Sequence, residues 1–62
     1  MLSNQLYLLR RKQGWSQETL AEKLNVSRQT LSKWESGNSK PNIDNLILIR
    51  KIFNIRYEDL LD

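Results

Sequence analysis

Residues 16–37 read SQETLAEKLNVSRQTLSKWESG, and this stretch decides the fold. Ser16 and Ser27 each precede a run of residues with helical spacing, and serine is a preferred residue at a helix N-cap. The short gap between the two runs suits two short helices that cross steeply, and Asn25 within it accepts the left-handed conformation that such a turn needs. The stretch therefore predicts two crossing helices, at about Gln17–Leu24 and Arg28–Glu35.

Apolar residues outside this stretch also repeat at helical spacing, and no segment alternates as a β-strand does. They predict three further helices, at about Ser3–Lys12, Ile43–Phe53 and Tyr57–Leu61. Gly14, Gly37 and Asn54 follow predicted helices and are suited to ending them. The sequence thus predicts an all-α fold, a compact five-helix bundle, in one domain spanning residues 1–62.

The composition excludes several classes of protein. The 62 residues contain no cysteine and no histidine, which excludes a disulfide scaffold and ordinary zinc sites, and we expect no metal and no cofactor. Glu18 and Glu22 lie one helical turn apart, but a solvated helix face explains them better than catalysis, so we expect no enzyme. With no leader and no apolar run of membrane-spanning length, we expect a cytoplasmic protein.

The positive charge is concentrated in one part of the chain. Residues 1–40 contain seven cations and three anions, whereas residues 41–62 contain three cations and four anions. A basic half suits a polyanion as partner, although a solvated basic surface explains the charge equally well.

The outer side of the second crossing helix is polar and free of acids. Counting about 100° per residue from Leu31 places the following residues there or in the first turn: Gln29, Ser32, Lys33, Ser36 and Arg28. Side chains of these types can hydrogen-bond to base edges, and the free amides of the first turn suit a phosphate. This pattern favours a DNA-reading surface over a plain solvated helix face. For the two crossing helices themselves, the alternative is an ordinary helical hairpin in a bundle.

Two opposite charges fall on helix faces that should be buried. Glu35 lies on the inner side of the second crossing helix, and Arg10 follows Leu6 on the apolar face of the first helix. A single buried charge is costly, whereas a hydrogen-bonded pair is tolerated, so we expect Arg10 and Glu35 to form an ion pair. The alternative is that both side chains extend to water independently.

The stretch GWSQETLAEKLNVSRQTLSKWESG, residues 14–37, closely resembles the lambda-repressor-like family of helix-turn-helix proteins, also called the Cro-type or XRE family. The match continues through Lys40-Pro41 to the Glu58-Asp59-Leu60-Leu61 ending, and the sequence departs from it at Arg50, where a small residue is usual. The resemblance implies a helix-turn-helix unit at about 17–36. It also implies a transcriptional regulator, expected to be a repressor, that reads double-stranded DNA in the major groove. The reading element is the second crossing helix, which is helix 3 of the chain, at about 28–35.

The resemblance also implies roles for individual residues. Gln17 looks like the family residue that contacts a phosphate and supports the first recognition side chain, and Arg10 and Glu35 match the family's internal ion pair. The other implied DNA contacts are the base readers Arg28, Gln29 and Lys33, the supporting residues Ser27, Thr30 and Ser32, and the backbone clamp Asn38 and Lys40.

Family members commonly bind as symmetric dimers, so we expect a homodimer on a palindromic operator. If the contact between the two subunits is weak, the dimer forms fully only on DNA. The expected contact surface consists of apolar residues near the C-terminus: Leu48, Ile52, Ile55 and Tyr57. Two alternatives are that these residues complete the core and that Tyr7 and Leu8 form the contact instead. The alternative function is that of a protein-interaction module, for instance an antitoxin. Its protein partner would then be a toxin or an anti-repressor.

Overall fold

A computed structural model describes residues 2–61, and within them it contains five α-helices and no strand. The helices are α1 (Leu2–Lys12), α2 (Gln17–Leu24), α3 (Arg28–Ser36), α4 (Ile43–Phe53) and α5 (Tyr57–Leu61). The all-α, five-helix prediction is confirmed. Two boundaries differ from the predicted ones by one residue, since α1 begins at Leu2 and α3 ends at Ser36.

Short polar side chains begin three of these helices. Ser16, Ser27 and Asn42 have extended backbone conformations, and the side chain of each accepts a hydrogen bond from the amide three residues later. The three donor–acceptor distances are 3.1, 3.1 and 2.9 Å. Each cap satisfies an amide that the helix itself leaves without a partner.

The same three helices end in residues with a left-handed backbone. Asn25, Gly37 and Asn54 have φ angles of 57°, 82° and 54°. At the end of α2, the amide of Val26 donates to the carbonyl of Ala21 at 3.0 Å, which closes the turn tightly enough for α3 to cross α2. The left-handed residue at position 25 therefore sets the geometry of the helix-turn-helix unit.

Each helix contributes at least one side chain that is fully shielded from solvent, and α2 contributes two. These side chains are Leu6, Leu20, Leu24, Leu31, Ile49 and Leu60. Trp15, in the turn between α1 and α2, covers this core from one side. Its ring lies 5.5 Å from that of Phe53, and the Nζ of Lys23 lies 4.7 Å from the centre of the Trp15 ring.

Arg50 lies on a half-buried face of α4, at the point where the sequence departs from the family pattern. Its guanidinium carbon lies 5.0 Å from the centre of the Tyr57 ring, a cation–π distance. Its Nε is buried and has no hydrogen-bond partner among the described residues. The arginine side chain, which is larger than the residue usual at this position in the family, is thus accommodated by stacking on Tyr57 of α5.

Among the described residues, no helix has both the length and the apolar character needed to span a membrane.

We predict that Asn25→Ala destabilises the protein by about 1 kcal/mol, because a Cβ without a compensating polar group is unfavourable in the left-handed region. Asn25→Gly is the matched control and should change the free energy of unfolding much less, since glycine adopts this conformation freely. Urea denaturation measures both. If both variants lose the same free energy of unfolding, the contacts of the Asn25 side chain, and not its left-handed backbone conformation, would account for the stabilisation.

Candidate nucleic-acid interface

The exposed side of α3 forms a shallow polar surface. Leu31 and Trp34 face the core. On the opposite side, four of the predicted DNA-contacting residues together line an open recess of about 400 Å³: Arg28, Gln29, Ser32 and Lys33. Three of them are exposed and Ser32 is half-buried. The recess therefore offers two cations, an amide and a hydroxyl, and no acid of α3 lies among its lining residues.

Two of the predicted supporting residues cap the N-terminus of α3. The Ser27 hydroxyl accepts a hydrogen bond from the Thr30 amide at 3.1 Å and donates one to the Thr30 hydroxyl at 2.9 Å. Ser27 is exposed and Thr30 is half-buried. Both side chains thus have a structural role in capping α3, and their contact with DNA stays a prediction.

The single acid of α3 points away from the exposed face. Glu35 pairs with Arg10 in a bidentate arrangement, with Nε–Oε2 and Nη2–Oε1 distances of 2.8 and 3.0 Å. The two side chains are only 8% and 6% exposed. Nη1 of Arg10 also donates to the carbonyl of Trp15 at 2.9 Å. The structure therefore brings together the two charges that the sequence pattern placed on facing buried surfaces.

Gln17 joins this pair, a contact that the sequence reasoning missed. As the first residue of α2, Gln17 donates from Nε2 to Oε1 of Glu35 at 3.1 Å. The ion pair thus connects α1, α2 and α3 through side chains. The sequence carries no periodic signal for this contact, because residues 17 and 35 belong to different helices whose crossing decides their distance.

The loop after α3 folds back on the end of that helix. The amides of Asn38 and Ser39 donate to the carbonyl of Lys33 at 2.9 and 3.3 Å. Pro41 is buried, whereas Asn38 and Lys40 are exposed. The predicted backbone-clamping residues are therefore held next to α3 with their side chains accessible.

The residues predicted to form a dimer contact are all half-buried. Leu48, Ile52 and Ile55 pack against the core, which accounts for part of their apolar area, and Tyr57 lies under Arg50. The large apolar side chains with the greatest exposure among the described residues are elsewhere: Tyr7 at 44%, Leu8 at 56% and Ile43 at 69%.

Comparisons with known proteins agree with this architecture. The helix-turn-helix family model matches residues 6–60. The chain is 44% identical to the HTH-type transcriptional activator BcrR of Enterococcus faecalis, over 95% of this chain and 29% of that protein. It is 37% identical to an uncharacterized HTH-type transcriptional regulator of Methanocaldococcus jannaschii, over 95% and 89% of the two chains.

A third relative is the HTH-type transcriptional regulator ImmR of Bacillus subtilis, which is 33% identical over 97% of this chain and 47% of that protein. The chain therefore spans less than half of BcrR and of ImmR, and most of the archaeal relative. No solved structure matches the chain significantly.

We predict that Glu35→Gln lowers the free energy of unfolding by about 3–5 kcal/mol, because it leaves the buried charge of Arg10 without its partner. In a protein this small, that loss is much of the total stability. Thermal and urea denaturation followed by circular dichroism measure it.

Glu58→Gln is the matched control for this substitution. Glu58 faces Arg56 at 3.9 Å, with both side chains 74% exposed. Its loss should change the free energy of unfolding by less than about 0.5 kcal/mol. A Glu35→Gln melt within a few degrees of the parent would contradict a stabilising role for the buried pair.

Proposed function

The chain belongs to the XRE-type helix-turn-helix family of DNA-binding transcriptional regulators, and we propose that it represses transcription by reading a specific operator with α3 in the major groove. The observation that supports this most is the exposed face of α3. That face is rich in hydrogen-bonding and cationic side chains, and the single acid of the helix is turned inward onto Arg10. A helix with such a face can approach polyanionic DNA without repulsion.

The recess on α3 contains side chains that suit base edges in the major groove. Arg28 and Lys33 can donate to O6 and N7 of guanine, and Gln29 can make a paired contact with N6 and N7 of adenine. Ser32 also lines the recess and can bond to either base. We assign sequence readout to these residues.

Three residues outside the recess are suited to the DNA backbone. Gln17 begins α2, where the helix N-terminus favours an anion, and Asn38 and Lys40 are exposed in the loop after α3. Ser27 and Thr30 lie at the N-terminus of α3, where the free amides of the first turn also suit a phosphate. We propose that contacts on either side of α3 fix its register in the groove, while the α3 side chains select the sequence.

Repression requires only that the bound protein occupies DNA that the polymerase needs, so sequence-specific binding is sufficient for it. BcrR is named an activator, and the opposite sign is therefore the competing assignment. A reporter gene placed behind the selected operator distinguishes them. Expression should fall when the protein is supplied, and a rise would establish activation.

We further propose that the protein binds its operator as a homodimer. The largest extent of the chain is 25 Å, which is less than the roughly 34 Å between recognition helices on successive turns of DNA. One chain therefore reads one half-site. The proposed contact uses the exposed parts of Leu48, Ile52, Ile55 and Tyr57. They belong to residues 41–62, which carry no excess of positive charge.

We predict that Gln29→Ala relaxes the choice of base at one position in each half-site, at a cost of about 1–3 kcal/mol for the preferred base. Lys40→Ala should instead weaken binding to all sequences alike and reduce the salt dependence, because it removes a phosphate contact. Selection of sites from a random duplex pool, followed by binding titrations at several salt concentrations, measures both effects.

Lys51→Ala is the matched control for charge, since Lys51 is exposed on α4, outside the proposed interface. It should leave the selected sequence unchanged and reduce affinity less than Lys40→Ala. A uniform loss in Gln29→Ala, equal for every sequence, would contradict base readout by this residue. Absence of salt-dependent DNA binding by the parent would instead favour a protein-interaction module.

We predict that Leu48→Glu prevents dimer formation, because it places a charge in the proposed apolar contact. Sedimentation equilibrium of the free protein and of its complex with a palindromic duplex measures the mass. Leu8→Glu, on the exposed apolar surface of α1, is the matched substitution and should leave the dimer intact. An intact dimer in a folded Leu48→Glu variant would exclude this surface, and loss of the dimer in Leu8→Glu would assign the contact to α1.

A further inference from the structure

We propose that Glu35 is a positioning residue for Gln17, and that it holds the Gln17 amide ready to donate to a DNA phosphate. The buried Arg10–Glu35 pair would then orient part of the interface in addition to joining the helices. This inference rests on the DNA-binding function proposed above. It assigns a role in DNA binding to Glu35, although the side chain of this acid is almost completely buried.

The carboxylate of Glu35 is a fixed acceptor. Arg10 donates to both of its oxygens, so the carboxylate cannot rotate without breaking at least one of these bonds. Oε1 accepts the further hydrogen bond from Gln17, 3.1 Å away. The side chain of Glu35 is 6% exposed, so water has little access to replace Gln17 if its amide turns away. Arg10 also neutralises the carboxylate, which therefore does not repel an approaching phosphate.

The chemistry of the contact decides which way the Gln17 amide faces. A primary amide has two N–H donors on nitrogen and an acceptor oxygen, whereas an ionised carboxylate only accepts. The nitrogen of Gln17 must therefore face Glu35. One N–H is used in that contact, and the second donates to no other group among the described residues. Gln17 is half-buried at the N-terminus of α2, where the helix dipole also favours an anion.

The ion pair also holds the backbone next to Gln17. Nη1 of Arg10 donates to the carbonyl of Trp15, two residues before Gln17. The backbone before the helix and the first side chain of the helix are thus attached to the same pair. A free glutamine side chain has many rotamers, and restricting them before binding reduces the entropy lost on the DNA.

A comparison in two backgrounds tests the proposal. The first background is the parent chain, and the second is Arg10→Met/Glu35→Met, since replacing a buried ion pair by apolar residues of similar volume commonly preserves folding. Gln17→Ala is introduced into each. Binding to a random-sequence duplex at low salt is measured, because a phosphate contact does not depend on the bases.

Gln17→Ala should weaken binding about tenfold in the parent and less than about twofold in the Met/Met background, where Gln17 is no longer held. An equal loss in both backgrounds would show that Gln17 acts without Glu35, and no loss in the parent would also overturn the proposal. If the parent does not bind duplex DNA at all, the proposed function fails, which is a separate outcome.

A measurement on the unmodified protein covers the case in which the Met/Met variant does not fold. In NMR spectra of the free chain, the side-chain amide of Gln17 should show slowed hydrogen exchange and a distinct chemical shift for one of its two protons. Gln13 and Gln29, which are exposed, serve as internal references. A Gln17 amide that behaves like these two would contradict the proposal.

Discussion

A carboxylate that is removed from water must be paired, and the rest of the proposed interface depends on how Glu35 meets this constraint. Its charge is balanced by Arg10 in a bidentate contact, and both side chains are almost completely buried. Because the acid of α3 is turned inward, the opposite face of that helix carries only neutral and positive side chains. The same pair attaches α3 to α1 and, through Gln17, to the beginning of α2.

Helix caps, left-handed turn residues and the core hold α2 and α3 in fixed positions around the Arg10–Glu35 pair. Helices of eight and nine residues, such as α2 and α3, are not stable alone in water. They are fixed by serine caps, by left-handed residues at their ends and by at least one fully buried side chain from every helix. The turn at Asn25 sets the crossing of α2 and α3. As a result, the recess on α3 and the loop at Asn38 occupy defined positions relative to each other.

Much of this architecture could be predicted from the sequence, because its signals are local. Apolar spacing predicts the five helices, and Ser16, Ser27, Asn25 and Gly37 predict the ends of α2 and α3 closely. The burial of Arg10 and Glu35 follows from the faces on which they lie. Contacts that depend on tertiary placement carry no such signal. These contacts are Gln17 with Glu35, Trp15 with Phe53, and Arg50 with Tyr57.

We propose that duplex DNA binds across the exposed face of α3, and an NMR titration locates the bound surface residue by residue. A ¹⁵N-labelled sample is titrated with a duplex enriched by site selection, and the backbone amide shifts are followed. We expect the largest changes at residues 27–33, with further changes at Gln17 and at residues 38–40. Changes confined to α5 and the exposed side of α1, or no saturable change with any duplex, would contradict it.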